Sequence, residues 1–187
     1  GVMKLRRLRG LLDGILTLPL VLPPTVVGFF LLVTFGKNSL VGQMLNSLGF
    51  SLVFTLRGAI VAAFVVAFPL MYRATRSAME QMDKNLIHAA RTLGVSEAKI
   101  FFRVILPGCK NGILAGTILS FARAMGEFGA TMMLAGNIPG KTQTMSLAVY
   151  TAVQSGNREL AFLWSGIIVV LSAGAVIGIN YFEHQGK

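Results

Sequence analysis

Long apolar blocks alternate with polar connections along the chain, and this alternation is its dominant pattern. The apolar blocks run over about 15–35, 52–72, 112–135 and 160–181. About 20 apolar residues in a helix, at ~1.5 Å each, cross the ~30 Å hydrocarbon core of a bilayer. The pattern therefore predicts an all-α protein in which one domain, residues 1–187, contributes four membrane-spanning helices.

The first apolar block carries three prolines, Pro19, Pro23 and Pro24. Proline lacks an amide hydrogen and clashes with the preceding turn, so neighbouring helices must satisfy the carbonyl groups that it frees. We expect a kinked helix that packs within a bundle. Both a plain kink and a bend that lines a pathway fit these residues.

Residues 73–111, here called the polar interlude, separate the second apolar block from the third. Apolar residues recur in it at three- and four-residue steps, which is the spacing of one helix face. They are Met79, Met82, Leu86, Ala89, Ala90 and Leu93. Gly94 is a typical C-terminal stop, and Ser96 can cap a second helix over 97–106 that Pro107 ends. The spacing predicts a helical hairpin, which either covers the bundle at the membrane surface or docks another protein.

Basic residues concentrate at the N-terminus and in the polar interlude. The net charge is +10, although only 13% of the residues are charged. The N-terminus has Lys4, Arg6, Arg7 and Arg9, and the interlude has Arg73, Arg76, Lys84, Arg91, Lys99, Arg103 and Lys110. The other connections have Lys37 with Arg57, and Lys141 with Arg158. Four spans put the interlude and both termini on one side, which the positive-inside rule makes cytoplasmic. Nucleic-acid binding is disfavoured because no basic face is interleaved with aromatic residues.

The residue types favour neither an enzyme nor a metal site. The chain has one cysteine, Cys109, and two histidines, without the spacing of metal ligands. It has no nucleotide-binding loop and no constellation of nucleophile, base or paired carboxylates. We predict no catalytic residues, no cofactor and no metal.

Two charged residues lie inside the third apolar block, Arg123 and Glu127. Charges within a membrane are costly and are therefore functional candidates. Residues four apart lie on one helix face and can neutralise each other, so we interpret this pair as one that fixes helix packing. Hydroxyls at Thr25, Ser120 and Thr131 are the other candidates for lining a pathway.

The polar interlude resembles the cytoplasmic EAA loop of bacterial ABC importer permeases. His88-Ala89-Ala90, three residues, Gly94, nine residues and Val104-x-Leu106-Pro107 match its spacing. His88 stands where that family has Glu, and Val104 where it has Ile. Within the family, residues 18–28, 121–131 and 136–140 resemble the molybdate branch, and sulfate/thiosulfate permeases are similar.

This resemblance implies the fold of type I ABC importer permeases, a polytopic helix bundle in a bacterial or archaeal cell membrane. It implies a homodimer, two cytoplasmic ATP-binding subunits and an extracytoplasmic molybdate-binding protein that carries most of the selectivity. The ATPase-coupling residues would be Leu86, His88, Ala89, Ala90, Arg91, Leu93 and Gly94. Such permeases have a further helix before the first one seen here, so we expect the chain to lack it.

Three other interpretations differ from this one in their requirements. An ABC importer of the same type could carry sulfate, thiosulfate or tungstate. An ion-coupled secondary transporter would need mid-membrane carboxylates, and only Glu127 qualifies, with Arg123 beside it. A membrane-bound enzyme would need a catalytic constellation, which is lacking.

Overall fold

The computed structural model describes the backbone of residues 2–185 and the side-chain surroundings of residues 10–178. The elements in this range are helical. They are α1 (Val2–Val21), α2 (Pro24–Phe35), α3 (Leu40–Ser47), α4 (Leu56–Gln81), α5 (Lys84–Thr92), α6 (Glu97–Ile100), α7 (Leu106–Gly108), α8 (Lys110–Met125), α9 (Gly129–Leu134), α10 (Met145–Gln154) and α11 (Arg158–Gln185). A π-helical segment, Phe101–Ile105, lies between α6 and α7. The basic side chains predicted to mark the N-terminus, at Lys4, Arg6, Arg7 and Arg9, lie outside the described residues.

Two helices, α4 and the described part of α11, are long and apolar enough to cross a membrane. The single kinked helix predicted over 15–35 differs from the structure, in which α1 and α2 meet at 116°. The cause is the Pro23–Pro24 pair, because Pro23 leaves the helical conformation and Pro24 occupies the first turn of α2. A proline at that position lacks an amide that would have no helical partner in any case. Pro19 is accommodated inside α1.

The third apolar block, predicted as one helix over 112–135, is two helices with a break between Met125 and Gly129. Backbone groups at such a break need partners inside a membrane. The hydroxyl of Ser146 donates to the Met125 carbonyl (3.2 Å), and the amide of Ala130 donates to Glu127 Oε1 (2.7 Å). Glu127 thus lies in the break rather than one turn along the same helix from Arg123.

The polar interlude also differs from its predicted bounds. Its first residues, 73–81, continue α4, so the second span runs beyond the predicted 52–72 and the hairpin begins only at Lys84. Asp83 starts α5 because its carboxylate accepts a hydrogen bond from the amide of Asn85 (2.9 Å). The second helix passes through the π-helical segment and α7, and the chain then bends by 68° into α8.

Helix α4 is the centre of the packing. Helix α8 lies antiparallel against it through small residues, with Gly112 facing Ala78 and Gly116 facing Ala74. Small residues let helices approach closely where lipid gives no hydrophobic driving force. A buried cluster joins α4 to α2 and α9; it consists of Val27, Ala62, Val66, Ala130 and Leu134. Helix α11 contacts α10 and α8.

The contact between α2 and α9 is closest at Gly28, where an added Cβ would stand 2.6 Å from the Cα of Ala130. Because that neighbour is backbone, Gly28→Ala is expected to separate the helices at a cost of about 1–3 kcal/mol. Thermal unfolding of the detergent-solubilised protein measures this. Gly14→Ala is the matched control, since a Cβ there meets nothing within 4 Å. Equal unfolding temperatures for the two variants would contradict the predicted contact.

Candidate functional site

Helix α5 is fixed at both ends by its own sequence. Asp83 caps its start, and Gly94 ends it with φ +71°, a conformation that glycine adopts without strain. The amide of Gly94 donates to the Arg91 carbonyl (2.9 Å), and the amide of Val95 donates to the Ala90 carbonyl (3.2 Å). This pair of bonds is the Schellman motif, which satisfies the last carbonyls of a helix. The predicted stop at Gly94 matches the structure.

An ion pair joins α5 to α6. Arg91 donates two hydrogen bonds to the Glu97 carboxylate, from Nε to Oε1 (2.7 Å) and from Nη2 to Oε2 (3.0 Å). These bonds lower the pKa of Glu97 and raise that of Arg91. Because the carboxyl pKa is lowered, the contribution of the pair is complete above the ordinary value of 4.5 and is lost only as pH falls below it. The resemblance places Arg91 among the ATPase-coupling residues, and the structure adds Glu97 as its partner.

The two sides of α5 differ in burial. Ile87 and Ala90 are half-buried on the side of α5 that faces the rest of the hairpin. Leu86, Ala89 and Leu93 lie on the outer side, where Leu86 is 55% and Leu93 80% exposed. An exposed apolar face on a helix with fixed ends is a candidate for a protein–protein contact. We call Leu86, Ala89 and Leu93 the outer face of α5.

His88 is also exposed, beside the outer face of α5. Its carbonyl accepts a hydrogen bond from the hydroxyl of Thr92 (3.0 Å). Among the described residues its imidazole has no hydrogen-bond partner. The imidazole of His88 therefore contributes no hydrogen bond to the described part of the hairpin.

The hairpin leads directly into helix α8 of the bundle. Helix α5 contacts α6 and the π-helical segment, which leads through α7 into α8. Helix α8 is in turn packed along α4, where Ser120 donates to the Ala67 carbonyl (3.3 Å). Helix α5 is thus joined to α8 by the intervening chain, and to α6 by one ion pair. The π-helical segment and the bend after it were not predicted, since both depend on the packing around them.

The two charged residues of the third block are in contact. Arg123 donates to Glu127 Oε2 (3.0 Å), and the other carboxylate oxygen accepts the amide of Ala130. The Glu127 side chain is 1% exposed and that of Arg123 31%. The carboxylate therefore joins the end of α8 to the start of α9.

The three hydroxyls predicted to line a pathway occupy different surroundings. Ser120 is engaged by α4, as described above. Thr25 is exposed at the start of α2, and an added Cβ on Gly129 would meet its methyl group at 2.9 Å. Thr131 is buried in α9.

A polar cluster that sequence reasoning missed ties α1 to α4. Asp13 contacts the Arg76 guanidinium and accepts a hydrogen bond from the Tyr72 hydroxyl. Arg76 also donates to Glu80 (2.7 Å). Fifty-nine residues separate Asp13 from Tyr72, so no local spacing could have indicated the contact. The only signal was a lone carboxylate at the edge of an apolar block.

Residues 1–182 match the family described as binding-protein-dependent transport system inner membrane component. The chain is 49% identical over 152 residues to a molybdenum transport system permease protein of Escherichia coli (strain K12), covering 81% of this chain and 66% of that one. It is 46% identical to a protein of the same name from Haemophilus influenzae, with 81% and 66% covered. It is 37% identical to a chloroplastic sulfate permease of Chlamydomonas reinhardtii, over 88% of this chain and 45% of that one. The chain thus spans about two thirds of the length of these bacterial relatives.

Proposed function

The chain belongs to the family of binding-protein-dependent transport system inner membrane components, and on that premise we propose that it is the permease subunit of an ATP-driven molybdate importer. Its all-α, membrane-spanning fold agrees with that family. Molybdate is favoured over sulfate because identity to the bacterial molybdenum permeases is 49% and 46%, against 37% to the sulfate permease.

The observation that carries the proposal is the outer face of α5. Its three apolar side chains are exposed, and both ends of the helix are capped. The Arg91–Glu97 ion pair also joins α5 to α6. Burying such a surface against a partner is favourable at about 25 cal/mol per Å². The partner is a cytoplasmic ATP-binding subunit, and closure of the ATPase pushes α5 as a rigid body.

The same proposal specifies the other subunits of the transporter. Two copies of this chain form the pathway, two ATP-binding subunits bind on the cytoplasmic side, and a molybdate-binding protein delivers the cargo from outside. The polar interlude and the C-terminus are cytoplasmic, as the distribution of basic residues favours. The partner hydrolyses ATP, and the proposal assigns no catalytic or cofactor-binding role to the described residues of this chain.

Arg123 and Glu127 have a structural role in this proposal. Their charges cancel, and the carboxylate spans the break between α8 and α9. A carboxylate engaged in this way is unsuited to carry a coupling ion, which speaks against a secondary transporter. Thr25 and Ser120 remain candidates for lining the pathway, whereas Thr131, which is 1% exposed, lies inside the bundle.

The test is uptake by proteoliposomes that contain the complete transporter, with ATP inside and the cognate binding protein outside. We expect molybdate uptake that requires both ATP and binding protein, and no uptake of sulfate at equal concentration. ATP-independent uptake driven by an ion gradient would overturn the importer, and preference for sulfate would overturn the cargo. Tungstate serves as a companion substrate, since its size and charge are close to those of molybdate.

A further inference from the structure

A cleft of about 1000 Å³ opens at the end of the bundle opposite the hairpin. Its walls come from three separate parts of the chain, namely the α2–α3 turn, the segment before α4 and the loop after α9. The polar and charged lining residues are Lys37, Asn38, Ser39, Ser51, Thr55 and Lys141. In the proposed topology this cleft faces the outside, where the binding protein releases its cargo.

Lys37 stands on a turn that is held in place by backbone contacts. The amide and the hydroxyl of Ser39 both donate to the Gly36 carbonyl, at 3.0 and 2.9 Å. Helix α3 packs so closely on this turn that a Cβ on Gly42 would stand 2.0 Å from the Gly36 oxygen. The backbone that carries Lys37 is therefore preorganised.

Lys141 stands on a second preorganised turn. The Ile138 carbonyl accepts the amides of three successive residues, 141 to 143, at 2.9 to 3.1 Å. Thr142 is buried beneath the turn, and its hydroxyl accepts the Ile138 amide (3.0 Å). Asn137 donates from the same loop to the Thr151 hydroxyl on α10 (2.8 Å). The backbone that carries Lys141 is thus held in place by these bonds.

The charged residues that line the cleft are both basic, Lys37 and Lys141. None of its lining residues is acidic. Within residues 10–178 no carboxylate lies within salt-bridge distance of either lysine. The hydroxyls of Ser39 and Thr55 are already engaged, since each accepts a helix amide and donates to a carbonyl. The groups left for an incoming anion are the two exposed ammonium groups, which carry the charge, and the polar side chains of Asn38 and Ser51.

A strained residue stands in the same cleft. Phe54 has φ +56°, a region that non-glycine residues rarely occupy, and its side chain is 54% exposed. Its amide donates to the Leu134 carbonyl at the end of α9 (3.1 Å). Such strain persists where the surrounding structure enforces it, and it is concentrated at functional sites. This bond links the cleft to the helix whose other end is held by Glu127.

We propose that Lys37 and Lys141 together form a receiving site for a doubly charged tetrahedral oxyanion at the outer mouth of the pathway. This inference rests on the proposed function. Two ammonium groups match the charge of one dianion, and each can donate to its oxygens. Ammonium is strongly hydrated, so binding is weak, which suits a site that must also release its ligand.

The test compares two double variants that remove the same charge from the same side of the membrane. K37Q/K141Q removes both charged side chains that line the cleft. R57Q/R158Q removes two basic side chains from the same two polar connections of the chain, but neither of them lines the cleft. The complete transporter is reconstituted with ATP and molybdate-loaded binding protein. Initial uptake and ATP hydrolysis are measured together over a range of binding-protein concentrations.

For K37Q/K141Q we expect uptake per ATP hydrolysed to fall on the order of tenfold, the scale of electrostatic focusing in a charged cleft. R57Q/R158Q and the charge-conserving K37R/K141R should match the unchanged protein. Wild-type uptake should also fall as ionic strength rises, and K37Q/K141Q should lose this dependence.

Three results would overturn the inference. The first is an unchanged ratio of uptake to ATP hydrolysis in K37Q/K141Q. The second is an equal loss in both double variants. The third is a rise only in the binding-protein concentration that half-stimulates the ATPase, which would make the lysines a docking site for that protein. Absence of molybdate uptake by the wild-type transporter would instead refute the proposed function itself, so the two failures are distinguishable.

Discussion

Ala89→Asp is expected to lower binding-protein-stimulated ATP hydrolysis and molybdate uptake at least roughly 30-fold. Ala89 is exposed at the middle of the outer face of α5, between Leu86 and Leu93. A carboxylate there would be buried without a partner when the ATP-binding subunit docks. An unsatisfied charged group costs about 2 kcal/mol or more, which corresponds to roughly that factor. The helix itself should be unaffected, because its caps and the Arg91–Glu97 pair are left in place.

Ala98→Asp is the matched control, because Ala98 is also an exposed alanine, on the neighbouring α6, and is not on the outer face of α5. It should retain wild-type coupling. Pull-down of the ATP-binding subunit by each variant separates docking from later steps, and only Ala89→Asp should lose the subunit. Wild-type ATPase stimulation by Ala89→Asp would show that the outer face of α5 is not the contact surface.

Glu127→Ala is expected to destabilise the permease by about 3–5 kcal/mol, the cost of breaking a buried ion pair from one side. The substitution leaves the Arg123 guanidinium without its carboxylate and the Ala130 amide without its acceptor. The Ala130 backbone is fully buried, so water cannot replace the lost acceptor, and an unpaired buried polar group is costly. The measurement is thermal unfolding of the detergent-solubilised protein, followed by size-exclusion chromatography of the heated sample.

Glu97→Ala supplies the contrast, since it breaks a pair of the same chemistry whose side chains are 50% and 69% exposed. Exposed pairs contribute little, so its unfolding temperature should barely move. Removing both buried charges in R123Q/E127Q should restore part of the stability lost in Glu127→Ala. If Glu127→Ala or Arg123→Ala kept full stability but altered the preference among oxyanions, the pair would belong to the anion pathway instead.

The all-α membrane fold and the family membership predicted from the sequence are confirmed. Local signals account for much of the detail in the hairpin. The spacing of Leu86, Ala89, Ala90 and Leu93 predicted a helix, and Gly94 predicted its end, because both depend on residues a few positions apart. The start of α5 was placed too early because Met79 shares the same spacing while belonging to the end of α4.

The features that were missed depend on residues far apart in the chain. The break after Met125 is stable because Ser146, on α10, satisfies the freed carbonyl. The Asp13–Arg76 contact likewise joins residues on different helices. Even the outer face of α5 needed the structure, since Leu86 and Ile87 are both apolar and only packing against the hairpin determines which of them stays exposed.

The length of α4 has a consequence for the surroundings of the hairpin. Its 26 residues extend about 39 Å at ~1.5 Å per residue, whereas the hydrocarbon core measures about 30 Å. If the end of α4 that carries Arg76 and Glu80 is cytoplasmic, as proposed above, a surplus of about two turns extends past the hydrocarbon core there, where charged side chains suit the headgroup level. The surplus would then hold the hairpin away from the bilayer surface, so that a soluble partner could approach α5 without displacing lipid.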